Sequence, residues 1–201
     1  MDLVLASNNA KKLAELQALF APLGVNLLTQ GSLGIPEAEE PFDTFVENAL
    51  TKARHAARLS GLPALADDSG LSVEALAGAP GVLSARYATL FGQSKSDADN
   101  NRVLLEQMAG LTERGARFVC ALVAVRSATD PEPLIAIGRW QGQILPEMAG
   151  EAGFGYDPLM WIPALGRSVA QLSATEKNAQ SHRALAAADL VRQLREAWHL
   201  G

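Results

Sequence analysis

One cysteine, three histidines and an aromatic content of 5 % narrow the chemistry open to this 201-residue chain. The lone thiol, Cys120, cannot close an internal disulfide. It sits in the apolar run 118–125, where it reads as a small core residue. Site chemistry is therefore not expected to rest on it, and a reducing compartment is compatible with it. Positive charge is in deficit, with 17 Lys and Arg against 22 Asp and Glu and a net charge of −5. A broad non-specific nucleic-acid surface needs the opposite balance, so no nucleic-acid partner is expected. A small anionic ligand would need its lysines and arginines gathered locally, together with a metal. No apolar stretch is long enough to span a bilayer. The apolar start at residues 3–6 gives way to Ser7-Asn8-Asn9 too soon for a signal-peptide core. The expectation is a cytoplasmic protein with no membrane partner.

The chain has 48 % hydrophobic and 19 % charged residues, as soluble globular proteins do. Its length suffices for one domain or two small lobes. Residues 3–6 read as a buried strand. Leu13, Leu16, Leu19, Phe20 and Leu23 recur at helical spacing over 9–23. A second strand is expected at 25–28. A second helix, capped by Asp43 or Thr44, runs to about Leu59 and is closed by Gly61. Residues 62–66 form a buried strand ending at Asp67, and 71–76 a strand edge. A helix over 96–108, strands at 118–125, 134–140 and 158–162, and a helical region from the capping-box spacing Ser173-Ala174-Thr175-Glu176 to about Trp198 complete the pattern. Strands and helices alternate and then cluster, which predicts an α/β class with a mixed sheet. No repeat or linker interrupts residues 1–201, and they are read as a single domain.

Asp67-Asp68-Ser69-Gly70 carries the strongest chemical signal. Two adjacent carboxylates repel, and a divalent cation between them and a substrate relieves the repulsion. The alternative is a polar turn closing a strand. Ser7-Asn8-Asn9-Ala10-Lys11-Lys12 stands between a strand and a helix, where free N–H groups and the positive helix end attract anions. Simple capping by Asn8 or Asn9 explains the same string, and without glycine it is not a Walker A loop. Asn48 and Lys52 share a helix face. Glu39 or Glu40, just before that helix, could complete a metal site with Asp67 and Asp68, unless the acidic loop is merely solvated. Arg86 suits bidentate grip on phosphate, or packs its stem on Tyr87. In Gly153-Phe154-Gly155-Tyr156-Asp157-Pro158 two glycines let an aromatic ring stand clear to stack on a flat base, or the ring tucks into core. Lys177 and Arg183 lie six residues apart, so either the helix bends or they serve different ends of a ligand. His182 and Arg183 offer donors suited to carbonyl oxygens, or a solvated face.

In this order, these segments resemble the inosine/xanthosine triphosphate pyrophosphatases, the Ham1-like family of non-canonical purine nucleoside triphosphate pyrophosphatases. Thr44-Phe45-Val46-Glu47-Asn48-Ala49, Gly78-Ala79-Pro80-Gly81 and Ser84-Ala85-Arg86-Tyr87 belong to the same match, which covers nearly the whole chain. Many members have Thr-Gly-Asn where this chain has Ser7-Asn8-Asn9. Because Asn tolerates left-handed backbone, the loop shape is expected to survive. The resemblance implies a mixed central sheet flanked by helices, with two lobes and an active-site cleft between them. It implies a homodimer and Mg²⁺-dependent cleavage of dITP, ITP or XTP to a nucleoside monophosphate and pyrophosphate, which cleanses the nucleotide pool. Residues Ser7, Asn8, Asn9, Ala10, Lys11 and Lys12 would cradle the phosphates. Asp68 would be general base and metal-linked residue, and Glu39 or Glu40 would hold Mg²⁺. Ser69, Phe154, Gly155, Tyr156, Asp157, Lys177, His182 and Arg183 would contact substrate.

Elementary chemistry supports this assignment. Lys12, Lys52 and Arg86 would offset the triphosphate charge that Mg²⁺ leaves, while Asp68 orients water. Asp67 is counted with the catalytic group, and it and the metal are expected to pull the Asp68 pKa in opposite directions. Hypoxanthine and xanthine carry a 6-oxygen where adenine carries an amine, so donors such as His182 and Arg183 would discriminate between them. Competing readings are a pyrophosphatase of pyrimidine or modified nucleotides and a nucleotide-binding sensor without catalysis.

Overall fold

The computed structural model describes residues 1–200. The chain forms β1 (Asp2–Leu5), α1 (Ala10–Phe20), β2 (Asn26–Thr29), α2 (Phe45–Ser60), β3 (Ala64–Val73), α3 (Asp97–Gln107), β4 (Gly115–Val125), β5 (Leu134–Ile144), β6 (Met160–Ile162), β7 (Arg167–Ser168), α4 (Ala174–Gln180) and α5 (His182–Trp198). The seven strands hydrogen-bond in the order β2-β1-β3-β4-β5-β6-β7. β1 pairs in parallel with β2 and β3, in the latter case with Val4 opposite Ala64 and Leu5 opposite Leu65. β6 is antiparallel to β5 and to β7, so the sheet is mixed, as expected.

Two compact units divide the chain: Met1–Asp68, Cys120–Gly138 and His182–Gly201 in the first, Ser69–Val119 and Arg139–Ser181 in the second. In the first, strand alternation sorts side chains onto two faces. Leu3, Leu5, Leu65, Cys120 and Leu122 meet Leu16 and Phe20 of α1 and Leu190 and Leu194 of α5. Val4, Ala64, Ala66, Ala121 and Val123 meet Ala49, Ala53 and Ala56 of α2. Helices therefore cover both faces of the strands in this unit. Each fully buried Leu here contributes about 1.5–3 kcal/mol of apolar transfer. The second unit has its own core, including Leu71, Val73, Leu104, Phe118, Trp140 and Leu159.

Helix signals read well. Asn9 caps α1, and its side chain accepts from the N–H groups of Lys11 and Lys12. Thr44 caps α2, and Gly61 ends it in left-handed conformation. Three expectations need correction. β3 does not stop at Asp67 but continues through Asp68, Ser69 and Gly70 to Val73, because the ladder tolerates polar side chains wherever they find partners. Of residues 71–76, the last three form a short 3-10 turn, Glu74–Leu76. The C-terminal helix is two helices: Ser181, at φ −64° and ψ 161°, is extended and breaks it.

On β5, Ala136 and Gly138 present almost no side chain to α5. A Cβ built at Gly138 would collide with the carbonyl of His182. This close approach seats the first turn of α5, and with it His182 and Arg183. Gly138→Ala is expected to cost about 1–3 kcal/mol by overpacking, read as a lowered urea midpoint with an unchanged slope.

Candidate active site

The alternation that builds the core also separates the two adjacent carboxylates. Asp67 follows Leu65 onto the face covered by α1 and α5, and Asp68 follows Ala66 onto the face covered by α2. They do not converge on one cation, contrary to the expectation from their adjacency. Asp67, its side chain wholly buried, accepts from Lys12 Nζ, from Arg183 Nε at 3.1 Å and from Cys120 Sγ at 3.1 Å. Arg183 also pairs with Glu15. Asp68 Oδ1 accepts from Lys52 Nζ at 2.9 Å, and the same ammonium reaches Glu40 Oε1 at 2.6 Å. The second oxygen of Asp68, Oδ2, is buried and has no hydrogen-bond partner among the described residues.

Their environments push the two carboxylates apart. Burial alone would raise Asp67, but the Arg183 guanidinium and the Lys12 ammonium outweigh it and hold the carboxyl well below its ordinary range. Asp68 goes the other way. Burial raises its pKa beyond what Lys52 takes back, and the carboxylate that adds to the rise is Glu40 rather than Asp67. Burial would lower Lys52, but Asp68 and Glu40 keep it raised and charged. The Cys120 thiol is pushed up by burial and by Asp67, so it remains an S–H donor.

Asn9 spends its side chain on the backbone N–H groups of Lys11 and Lys12, at 3.0 and 3.1 Å. The capping alternative thus holds for that pair of N–H groups. Ser7 Oγ accepts from Asn9 N–H, and Asn8 reaches Glu37. Asn8, Asn9, Ala10 and Lys11 remain exposed, whereas Lys12 turns inward to Asp67. Of the two candidate metal-holding glutamates, Glu40 meets Lys52 beside Asp68. Glu39 is exposed and lines a 490 Å³ depression with Phe42, Arg54 and His55. No group of three or more His, Cys, Asp or Glu side chains able to hold a metal occurs among the described residues. A cation that takes one or two carboxylates and completes its shell with substrate oxygens and water nevertheless fits Glu40 and Asp68. The buried, unpartnered Oδ2 is the acceptor such an ion would satisfy.

In the second unit, Asp157 organises the glycine-flanked loop. Its Oδ2 accepts from Phe154 N–H at 3.0 Å and from Lys177 Nζ at 2.9 Å. The ammonium also lies 4.5 Å from the centroid of the half-buried Phe154 ring. Ser69 and Arg86 are half-buried, with Arg86 at a kink in the 3-10 stretch Gly81–Phe91. Two of the expected substrate contacts are buried and have partners within the protein. Tyr156 is a core residue whose hydroxyl donates to the Ser84 carbonyl. Arg183 is 1 % exposed, and its guanidinium holds Asp67 and Glu15 rather than presenting donors as a solvent-facing pair with His182. The break at Ser181 assigns Lys177 to α4 and His182 to α5, which accounts for the six-residue spacing.

Glu15 escaped the sequence reading, and Cys120, read there only as a small core residue, also donates to Asp67. Both had a faint signal: Glu15 lies one helical turn beyond Lys12, and Cys120 shares a strand face with Leu122. The partners that give them meaning are distant in sequence.

A strand that delivers two adjacent carboxylates to lysines from separate helices defines an α/β protein with a polar site set into its core. Comparison with known proteins specifies it further. The Ham1 family profile matches residues 3–193, and the chain belongs to the Ham1 family. It is 62 % identical over 211 residues to the dITP/XTP pyrophosphatase of Leptothrix cholodnii, covering 100 % of both chains. It is 62 % identical to the protein of the same name from Ralstonia nicotianae, covering 96 % of each. Among solved structures, the HAM1 protein of Coxiella burnetii superposes with a TM-score of 0.91 at 46 % identity, over 98 % of this chain and 100 % of that one. The Staphylococcus aureus Ham1 protein gives 0.86 at 36 % identity, over 98 % and 99 %.

Asp67→Asn leaves Arg183 and Lys12 without their shared counter-charge and is expected to cost about 3–5 kcal/mol of stability at neutral pH. Because the folded-state pKa of Asp67 is depressed, its contribution is complete above its ordinary value of 3.8 and is lost as pH falls toward the folded-state value. Urea titrations across pH should therefore show the variant well below the native protein at pH 7 and approaching it in acid.

Proposed function

We propose that this protein hydrolyses deaminated purine nucleoside triphosphates, dITP, ITP and XTP, to the nucleoside monophosphate and pyrophosphate, and so clears them from the nucleotide pool. The observation that carries the reading is Asp68. One of its oxygens is anchored by Lys52, the other is buried without a partner, and its carboxyl is shifted toward holding a proton. The names of the full-length relatives point to the same reaction.

Asp68 is assigned as the base that takes a proton from the attacking water, and burial of the carboxylate raises its basicity for that task. Lys52 holds Oδ1 in place. Lys12, steadied by Asp67, and Lys52 supply positive charge to the phosphates. Mg²⁺, held by Glu40 and Asp68 when bound, would offset phosphate charge and increase the electrophilicity of phosphorus. Phe154 offers its ring face to the base, beside the Lys177 ammonium. His182 is assigned as a donor to the 6-oxygen, which adenine lacks. The chain is read as a single functional domain. A homodimer in the cytoplasm completes the proposal; no helix among the described residues is long and apolar enough to cross a membrane.

Product-resolved assays with dITP, XTP, dATP, dGTP, dTTP and UTP in Mg²⁺ test the reading. Pyrophosphate from dITP and XTP, at rates far above the others, is expected. Orthophosphate as product, or equal turnover of dATP or dTTP, overturns it. Asp68→Asn should lower kcat by about 10²–10⁴-fold while weakening nucleotide binding much less, as single-turnover and equilibrium titrations would show. Phe154→Ala should raise KM for dITP about tenfold through lost stacking, with kcat nearly retained; a fall in kcat alone would make the ring a scaffold instead.

A further inference from the structure

A loop that presents an aromatic ring to a base is useful only if the ring is already aimed. In the second unit the residue after Phe154 is held at both ends of its backbone by one helix. Gly155 N–H donates to Asp97 Oδ2 at 2.8 Å, and Gly155 C=O accepts from Asn101 Nδ2, also at 2.8 Å. Asp97 and Asn101 are four residues apart, so they stand one above the other on the same face of α3. The same Asn101 amide donates to the Asp97 carbonyl at 2.8 Å. Its nitrogen thus faces two carbonyl oxygens, and a flipped amide would set oxygen against oxygen. Asn101 is 3 % exposed. A donor buried this deeply on two carbonyls is a fixed part of the structure.

The held residue also needs holding. Gly155 has a φ of +62°, in the left-handed region. On the other side of the ring, Phe154 N–H is tied to Asp157. The Phe154 backbone is therefore bracketed, by Asp157 before the ring and by α3 after it. We infer that Asp97 and Asn101 are positioning residues for the nucleobase: by clamping Gly155 to α3 they aim Phe154, and thereby set affinity for the base end of the nucleotide. Neither residue is itself proposed to contact substrate. The inference rests on the pyrophosphatase reading and deepens its base site. Pre-ordering the loop removes an entropic cost from binding. The base is gripped alike before and during phosphoryl transfer, so the effect falls on KM and not on kcat.

The test compares Asp97→Ala, Asp97→Asn, Asn101→Ala and Asn101→Asp in the full-length protein. Asp97 is exposed in the first turn of α3, so its variants should fold even if those at buried Asn101 do not. Asp97→Ala and Asn101→Ala are expected to raise KM for dITP roughly tenfold with kcat within about twofold. Product inhibition by dIMP should weaken by a similar factor, and inhibition by pyrophosphate should stay unchanged. Asp97→Asn keeps an acceptor oxygen and should bring KM back to within about threefold of native. Asn101→Asp keeps the shape but replaces the donor, and should reproduce the alanine defect. Native KM in Asp97→Ala overturns the inference, as does equal weakening of dIMP and pyrophosphate inhibition. A native protein that does not hydrolyse dITP overturns the pyrophosphatase reading, and this inference with it.

Discussion

Asp67 has no access to water, so every donor that keeps it charged must come from the protein. Lys12 comes from α1, Arg183 from α5 and Cys120 from β4, and β3 carries the carboxylate itself. One buried charge thus ties together four elements of the first unit that are far apart in sequence. Removing water makes each of these bonds stronger and each missing one more costly. Lys12 owes its inward pose to this arrangement. The lysine proposed to meet phosphate is thus placed by a buried carboxylate on another element.

Asp68 lives by a different rule. Its neighbours satisfy one oxygen and leave the other without a partner, an arrangement that costs stability and is retained where a group has work to do. Two chemically identical residues, consecutive in the chain, are thus driven to opposite protonation tendencies. The difference lies in the number and kind of cations each one faces.

Much of this was legible in the residue order. Periodicity and caps located α1, α2, α3 and the apolar strands, because those signals are local: Asn9, Thr44 and Gly61 act within a turn of themselves. The glycine-flanked Phe154 and the Asp67-Asp68 pair stood out by composition. What could not be read was direction. A polar tetrapeptide looks like a turn unless its partners are known, and the partners of Asp67 lie 55, 53 and 116 residues away. The burial of Tyr156 and Arg183 was hidden for the same reason, since it is decided by elements that meet only in the fold. β7 spans two residues and is too short to show any period.

The alternation along β3 makes the chain unforgiving at one place. A single residue gained or lost between Ala64 and Asp67 would turn every following side chain over. The carboxylate that faces α2 would then face Arg183, its neighbour would meet the alanines of α2, and Leu71 beyond them would change faces too. The turn at Gly61 and Leu62 lies upstream of the ladder and can absorb a change of length without reversing either face. A change of chain length is therefore tolerated by geometry at such a connection and not within the strand.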